Sequence, residues 1–171
     1  MKNILIIIAS NGFQEKEYGD TRFELEKAGC SVKTASSKPI AVGANGLRVQ
    51  CDLLLDNVDP NHFDAIVWIG GPGSREYFDH PVAHDICRET LSQSKLLGAI
   101  CAAPGILARA GVLKDKKMTC WPGEELVEMV VLEGANYTEA EVEQDGLLIT
   151  GNGPMAAHSF GKKIADALIA S

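Results

Sequence analysis

The stretch Gly98-Ala99-Ile100-Cys101-Ala102-Ala103-Pro104 decides how the chain is read. It follows Lys95-Leu96-Leu97, an apolar segment short enough for a buried strand. It precedes Ile106, Leu107 and Ala110, which recur at helical spacing until Gly111 supplies a stop. Cys101 therefore falls where a strand hands over to a helix. A sharp strand-to-helix turn that carries a nucleophile demands small neighbours, because the two backbones crowd together there. Ala99 and Ala103 stand two residues either side of the cysteine. Pro104 suits a first helical turn, where its missing N–H would have had no partner. Spacing alone leaves two readings open: a nucleophile elbow, or an inert cysteine that ends a core strand, since cysteine packs as a small hydrophobe.

Outward from this turn the chain alternates between apolar runs and amphipathic segments. Ile4 to Ala9 reads as a first strand covered on both faces, as in a parallel sheet, with Ser10 to Gly12 as the turn out of it. A helix is expected over Glu15 to Ala28, stopped by Gly29, and a second strand over Ser31 to Ala35. Ala41 to Leu55 alternates loosely, as a small hairpin or edge extension would. Ala65 to Ile69 is a further buried strand that ends in Gly70-Gly71-Pro72-Gly73-Ser74, and Pro81 to Ser94 is helical. Beyond the elbow come a short strand at Met118 to Trp121 and a helix over Glu124 to Glu133. Strands at Tyr137 to Glu143 and Leu147 to Thr150 are joined at Gln144-Asp145-Gly146, and a helix runs from Met155 to Ala170. This order predicts an α/β fold with a largely parallel sheet, in one domain over residues 1–171. Such sheets bind ligands beyond the carboxyl ends of their strands, which selects the loops after Ala9, Ile69, Ile100, Cys120 and Thr150.

Composition narrows the classes. The 171 residues are 46% hydrophobic and 23% charged, with no apolar stretch of the ~20 residues that a membrane span needs. The formal charge of −7 comes without a basic stripe, which argues against dedicated nucleic-acid binding. Ile4 to Ile8 is too short and too strand-like for an export signal. Cys30, Cys51, Cys87, Cys101 and Cys120 are scattered and odd in number, which fits neither a disulfide framework nor a zinc site. A reducing cytoplasm is the expected home, and no metal is expected.

The selected loops hold the candidates. Glu15 reads as a solvated partner of the helix dipole, whereas Glu17, a few residues from the edge of the first strand, would reach Cys101 if their two strands lie side by side. An ionised Glu17 would raise the thiol pKa, and a protonated one would donate a hydrogen bond to the thiolate. That bond and a helix N-terminus together would lower a thiol from ~8.5 by about one to three units, against the opposing cost of desolvation. Gly70 to Gly73 is either a plain turn or a source of backbone N–H groups for an oxyanion. No Gly-Lys-Ser/Thr or G-x-G-x-x-G pattern supports nucleotide binding. His158, after Gly153-Pro154, is the one histidine near these loops that could serve a cysteine hydrolase, or else a surface residue. Cys120 is either core or a second thiol near the first.

Taken together, the set resembles the ThiJ/PfpI superfamily, which contains the parkinsonism-associated protein deglycase and related glyoxalases. The set is Gly12 to Glu17, Trp68-Ile69-Gly70-Gly71, Ala99 to Pro104, and Gly153-Pro154 with Phe160. The likeness runs nearly end to end. It implies a flavodoxin-like three-layer sandwich, a homodimer, and a reactive elbow cysteine that needs no cofactor. On the matching positions Cys101 would be the nucleophile, Glu17 its buried protonated partner, and Gly70 or Gly71 with the Ala102 amide the anion pocket. Cys120, Trp121, Pro154 and His158 would line it. The family's activities include conversion of methylglyoxal to lactate, deglycation, proteolysis or amide hydrolysis, and redox sensing, so a small aldehyde or glycated substrate is implied. Three departures stand out. Ala102 replaces the histidine that follows the cysteine in the protease-like branch. Trp121 occupies the place of a histidine found in the deglycase-like branch, and Gln14 stands where many members carry a further acid. The expectation is therefore an enzyme that acts on small reactive aldehydes through Cys101, with Glu17 moving the proton. The alternatives are a sensor whose Cys101 is oxidised to a sulfinate and, with less support, an amidotransferase-like or peptidase-like hydrolase.

Overall fold

The continuous apolar run near the start of the chain forms the middle of the sheet, and its residues divide between the two faces. In the computed structural model, which describes residues 1–170, β1 spans Asn3–Ile7. Ile4, Ile6 and Ile8 pack on one side of the sheet with Leu25, Phe160, Ile164 and Leu168. Leu5 and Ile7 pack on the other side with Ile66, Trp68, Ile86, Leu97, Leu126 and Val130. Side chains alternate along a strand, so a run that is apolar throughout can only be central to a sheet with two covered faces.

The elements follow in the expected alternation. They are β2 (Asn11–Phe13), α1 (Glu15–Lys27), β3 (Ser31–Ser36), β4 (Ile40–Gly43), β5 (Arg48–Gln50), β6 (Leu53–Leu54) and β7 (Ala65–Trp68). Then come α2 (Pro81–Ser92), β8 (Leu96–Ile100), α3 (Pro104–Arg109), β9 (Lys117–Met118) and α4 (Glu124–Leu132). The series closes with β10 (Asn136–Tyr137), β11 (Val142–Asp145), β12 (Leu148–Gly151) and α5 (Ala157–Ile169). Seven strands pair in the order β11-β12-β8-β7-β1-β3-β6. All their pairings are parallel except the β11–β12 hairpin. From β1 the chain moves outward through β3 and β6, then returns to β7 on the other side of β1. The switch point thus lies between β1 and β7, where outgoing loops diverge and leave a crevice. The result is a three-layer α/β sandwich of the expected kind.

Helices α1 and α5 cover one face of the sheet and lie close together. A Cβ placed on Gly161 would come within 2.9 Å of the Thr21 carbonyl oxygen and 3.1 Å of its Cα, so the two backbones can approach only because residue 161 has no side chain. Phe160, Ile164 and Leu168 recur every fourth residue and face inward, each contributing about 1.5–3 kcal/mol by leaving water.

Some expectations need correction. The turn expected over Ser10 to Gly12 instead runs into a short strand, Asn11–Phe13, which pairs with β4 in a separate three-stranded sheet. Met118 to Trp121 is not a strand of the central sheet: only Lys117–Met118 is extended, and it pairs with β10. The amides beyond it leave the ladder, because Thr119 N–H donates to Thr150 Oγ1 (2.9 Å) and Trp121 N–H to the Cys101 carbonyl (2.8 Å). Tyr137 accordingly belongs to β10, and β11 begins only at Val142. Pro154 opens a 3-10 turn, so α5 starts at Ala157 rather than Met155.

Candidate active site

Three neighbouring strands, β1, β7 and β8, end at one edge of the sheet, where the first turn of α1 brings Glu17 and the loops after β7 and β8 bring Gly70 and Cys101. Helix α1 begins directly after β2, with the Gln14 carboxamide oxygen capping it by accepting from Lys16 N–H (2.7 Å). The Gln14 amide in turn donates to the Gly70 carbonyl (2.9 Å), which locks the helix start to the β7 loop. Of the two acids in the first turn, Glu15 is used elsewhere: Oε2 accepts from the amides of Asn45 (2.6 Å) and Leu47 (3.0 Å) and pins the β4–β5 turn. Glu17 points inward and is fully buried. Its Oε1 accepts the Gly70 N–H at 3.0 Å, while its Oε2 is buried with no hydrogen-bond partner among the described residues.

Cys101 sits at the end of β8 with a φ of +63°, in the left-handed region that a residue with a Cβ adopts at a cost. The turn is held on both sides: Cys101 N–H donates to the Gly151 carbonyl (2.9 Å) and its own carbonyl accepts from Trp121. The amides of Ala102 and Gly71 face the sulfur. Gly71 can present its amide because its backbone, at φ +107°, is one that glycine tolerates. Gly70 has a steric reason. A Cβ there would lie 2.7 Å from Cys101 Cβ and 2.8 Å from Glu17 Oε1, so glycine is what lets acid and thiol meet.

Both members of this pair hold their protons more tightly than in water. Burial pushes the Glu17 carboxyl from 4.5 up to about 7, partly offset by its contacts with the Cys101 thiol and the Gly70 amide. Burial, followed by the Glu17 charge, also drives the Cys101 thiol well above its usual value, against the pull of the Ala102 and Gly71 amides. The depressed thiol considered from the sequence is therefore reversed. The desolvation set against it there is the larger effect.

The sulfur opens into a pocket of about 360 Å³. Gly71, Cys101 and Ala102 form its floor, and Gln14, Pro72, Arg75, Trp121 and Pro154 its walls. The Trp121 indole is half exposed and packs over two glycines: a Cβ on Gly153 would meet it at 3.1 Å and one on Gly123 at 3.2 Å. Two residues weighed from the sequence do not line this pocket. Cys120 is fully buried among core side chains, its thiol donating to the Trp121 carbonyl at 3.4 Å, and burial lifts its pKa to about 12. His158 sits in the first turn of α5, its Nδ1 3.0 Å from Glu24 and its Nε2 3.4 Å from Asp20. One wall residue, Arg75, was not singled out from the sequence. The signal was there, since Arg75 is the only base in the glycine-rich loop after β7.

With this geometry in place, comparison with known proteins is informative. The model of the DJ-1/PfpI family matches residues 2–167. Deglycase PH1704 of Pyrococcus horikoshii is 29% identical over 165 residues, which cover 96% of this chain and 98% of that protein. The Caenorhabditis elegans protein named glutathione-independent glyoxalase DJR-1.2 is 31% identical over 98% of this chain and 89% of its own. The crystal structure of a ThiJ/PfpI domain protein from Brachyspira murdochii matches with a TM-score of 0.95 at 29% identity, over 99% of this chain and 97% of that one.

Proposed function

This chain belongs to the DJ-1/PfpI family, and from that premise we propose that it converts small reactive aldehydes through Cys101, with Glu17 as the proton carrier and no cofactor. The observation that carries the proposal is the fully buried Glu17 carboxyl set against the Cys101 thiol, where burial raises its pKa to about 7. Such an acid is populated in both protonation states near neutral pH, as a group that gives and takes one proton must be.

For a 2-oxoaldehyde such as methylglyoxal the steps balance as follows. The Cys101 sulfur bonds to the aldehyde carbon, and the thiol proton passes through Glu17 to the carbonyl oxygen, giving a hemithioacetal. The amides of Gly71 and Ala102 supply donors for charge on that oxygen. Glu17 then takes the proton from the first carbon and returns it to the second, while the hydroxyl proton passes from the first oxygen to the second, leaving a thioester on Cys101. Water cleaves the thioester to lactate and restores the thiol. No outside oxidant or reductant is consumed. Methylglyoxal loss and lactate gain, measured for the purified protein beside Cys101→Ala, test the reading. Equal rates in the two proteins would end it.

The same donors favour a second reading, in which Cys101 is oxidised to a sulfinate. Two peroxides each transfer one oxygen to sulfur and leave as water, and the Gly71 and Ala102 amides with the Glu17 O–H would hold the product. Intact-mass measurement during a peroxide titration separates the two: a gain of two oxygens at Cys101 ahead of the other four cysteines supports oxidation. The hydrolase reading has no comparable support, because His158 is engaged by Glu24 and Asp20. A homodimer, carried over from the family resemblance, is read out by light scattering.

A further inference from the structure

We propose that Arg75 makes the Cys101 pocket selective for aldehydes that bear a carboxylate, binding that group while the aldehyde carbon meets the sulfur. This rests on the aldehyde reading above and names the substrate class within it.

Arg75 is the sole charged residue among those lining the pocket; the other walls are Gln14, Pro72, Trp121 and Pro154. Its neighbours along the chain are all committed to the fold. Ser74 Oγ donates to the Gly71 carbonyl (2.7 Å), and Glu76 Oε2 accepts from both the amide and the hydroxyl of Ser10 (2.8 Å each). Glu76 Oε1 accepts from Ser37 Oγ, and the Tyr77 hydroxyl donates to the Ile8 carbonyl (2.8 Å). The backbone of the Pro72–Tyr77 turn is thereby fastened to the loops after β1 and β3. Arg75 has no such bond to these loops: 62% of its side chain is exposed, at a rim shared by this pocket and the neighbouring groove of Phe78 and Glu125. A guanidinium on a fixed mount is pre-organised for binding, because little of its support has to be ordered when a ligand arrives.

The structure also indicates which anion. The Arg75 guanidinium already faces a carboxylate, that of Glu125 on α4, but at 3.9 Å and with 86% of that side chain exposed. So long and wet a pair contributes little to the fold and is easily exchanged. A substrate carboxylate held between Arg75 and the pocket floor would replace it with the two parallel hydrogen bonds that the planar fork allows. The Phe78 ring, 5.7 Å from the guanidinium carbon, lies beneath the fork and limits its swing.

Alkylation of Cys101 provides the test. The sulfur displaces iodide from either iodoacetate or iodoacetamide, reagents of nearly equal size that differ by one charge. Mass spectrometry of the Cys101 peptide gives the ratio of the two rates. Wild type is expected to favour iodoacetate over iodoacetamide about 3- to 10-fold more than Arg75→Gln does, with Arg75→Lys between them. An unchanged ratio across the three proteins overturns the proposal. In a second arm, succinic semialdehyde and butanal compete with iodoacetamide for Cys101. Protection by the semialdehyde at lower concentration, lost in Arg75→Gln, supports the proposal, and equal protection by both overturns it. If neither aldehyde protects but the Arg75-dependent preference for iodoacetate remains, the carboxylate site stands and the aldehyde reading of Cys101 falls. A melting temperature for Arg75→Gln within about 1–2 °C of wild type shows that the fold is intact in every arm.

Discussion

Trp121 donates its backbone N–H to the carbonyl oxygen of Cys101 at 2.8 Å. The residue that walls the pocket is thus tied to the cysteine on its floor, through an atom pair that does not involve the indole. The side chain at position 121 can be exchanged while the elbow keeps its shape, so chemistry at this position can be varied independently of geometry.

Trp121→His is expected to speed methylglyoxal turnover by about 10-fold or more, since a well-placed acid–base group contributes roughly 10²–10⁴. The variant puts a histidine in the pocket wall, 121 being the position where the family resemblance expects one. Lactate formation rates for Trp121→His, wild type and the double variant with Cys101→Ala provide the measurement. Turnover equal to wild type would mean that Glu17 alone already moves the proton.

The raised Glu17 carboxyl makes stability depend on pH. Burial raises its pKa to about 7 in the folded state from the ordinary 4.5, so between those limits the folded state binds the extra proton and stability falls as pH rises. The loss is absent below about 4.5 and complete above about 7, where it amounts to about 3 kcal/mol. Glu17→Gln carries no charge at either end and should gain that much on wild type between pH 4.5 and 8. Urea unfolding at both pH values measures it. A difference between the two proteins that does not move with pH would mean Glu17 is not held protonated.

Gly70→Ala should separate the Glu17 carboxyl from the Cys101 thiol. Its new methyl would sit 2.7 Å from both Cys101 Cβ and the Ile100 carbonyl oxygen, closer than packed atoms allow. Relaxation is expected to cost about 1–3 kcal/mol and to move Glu17 off the sulfur. Thermal unfolding and the pH profile of Cys101 alkylation report the two effects separately. A variant with unaltered profile would mean the loop yields without moving the acid.

The backbone at Cys101 gives a fourth expectation. Of two inactive variants, Cys101→Gly should be more stable than Cys101→Ala by about 0.5–1 kcal/mol, because glycine relieves the φ of +63° while alanine keeps it. Denaturant midpoints decide this, and the reverse order would place the strain elsewhere.

How far these features could be read in advance depended on whether neighbours in sequence or neighbours in space impose them. Ile4 to Ala9, Ala65 to Ile69 and Leu96 to Ile100 carry their own burial pattern, and the elbow is marked by alanines and a proline on either side of Cys101. The end of α1 was marked by Gly29 at φ +88°. The short strand β2 was hidden because its partner, β4, comes from a later hairpin. Cys120 was placed wrongly at a strand end because nothing local shows that the amides beside it bond to Thr150 and Cys101. The orientation of His158 depends on two carboxylates more than a hundred residues away. The direction of the Cys101 shift needed the depth of burial, which a sequence does not state.

Gly161, whose missing side chain lets α5 lie against the backbone of α1, has a consequence for the order of synthesis. A ribosome releases the helix that carries Glu17 and the elbow that carries Cys101 well before it makes α5. Until then the face of α1 that α5 covers stays open, and this layer of the sandwich closes only when the last helix docks.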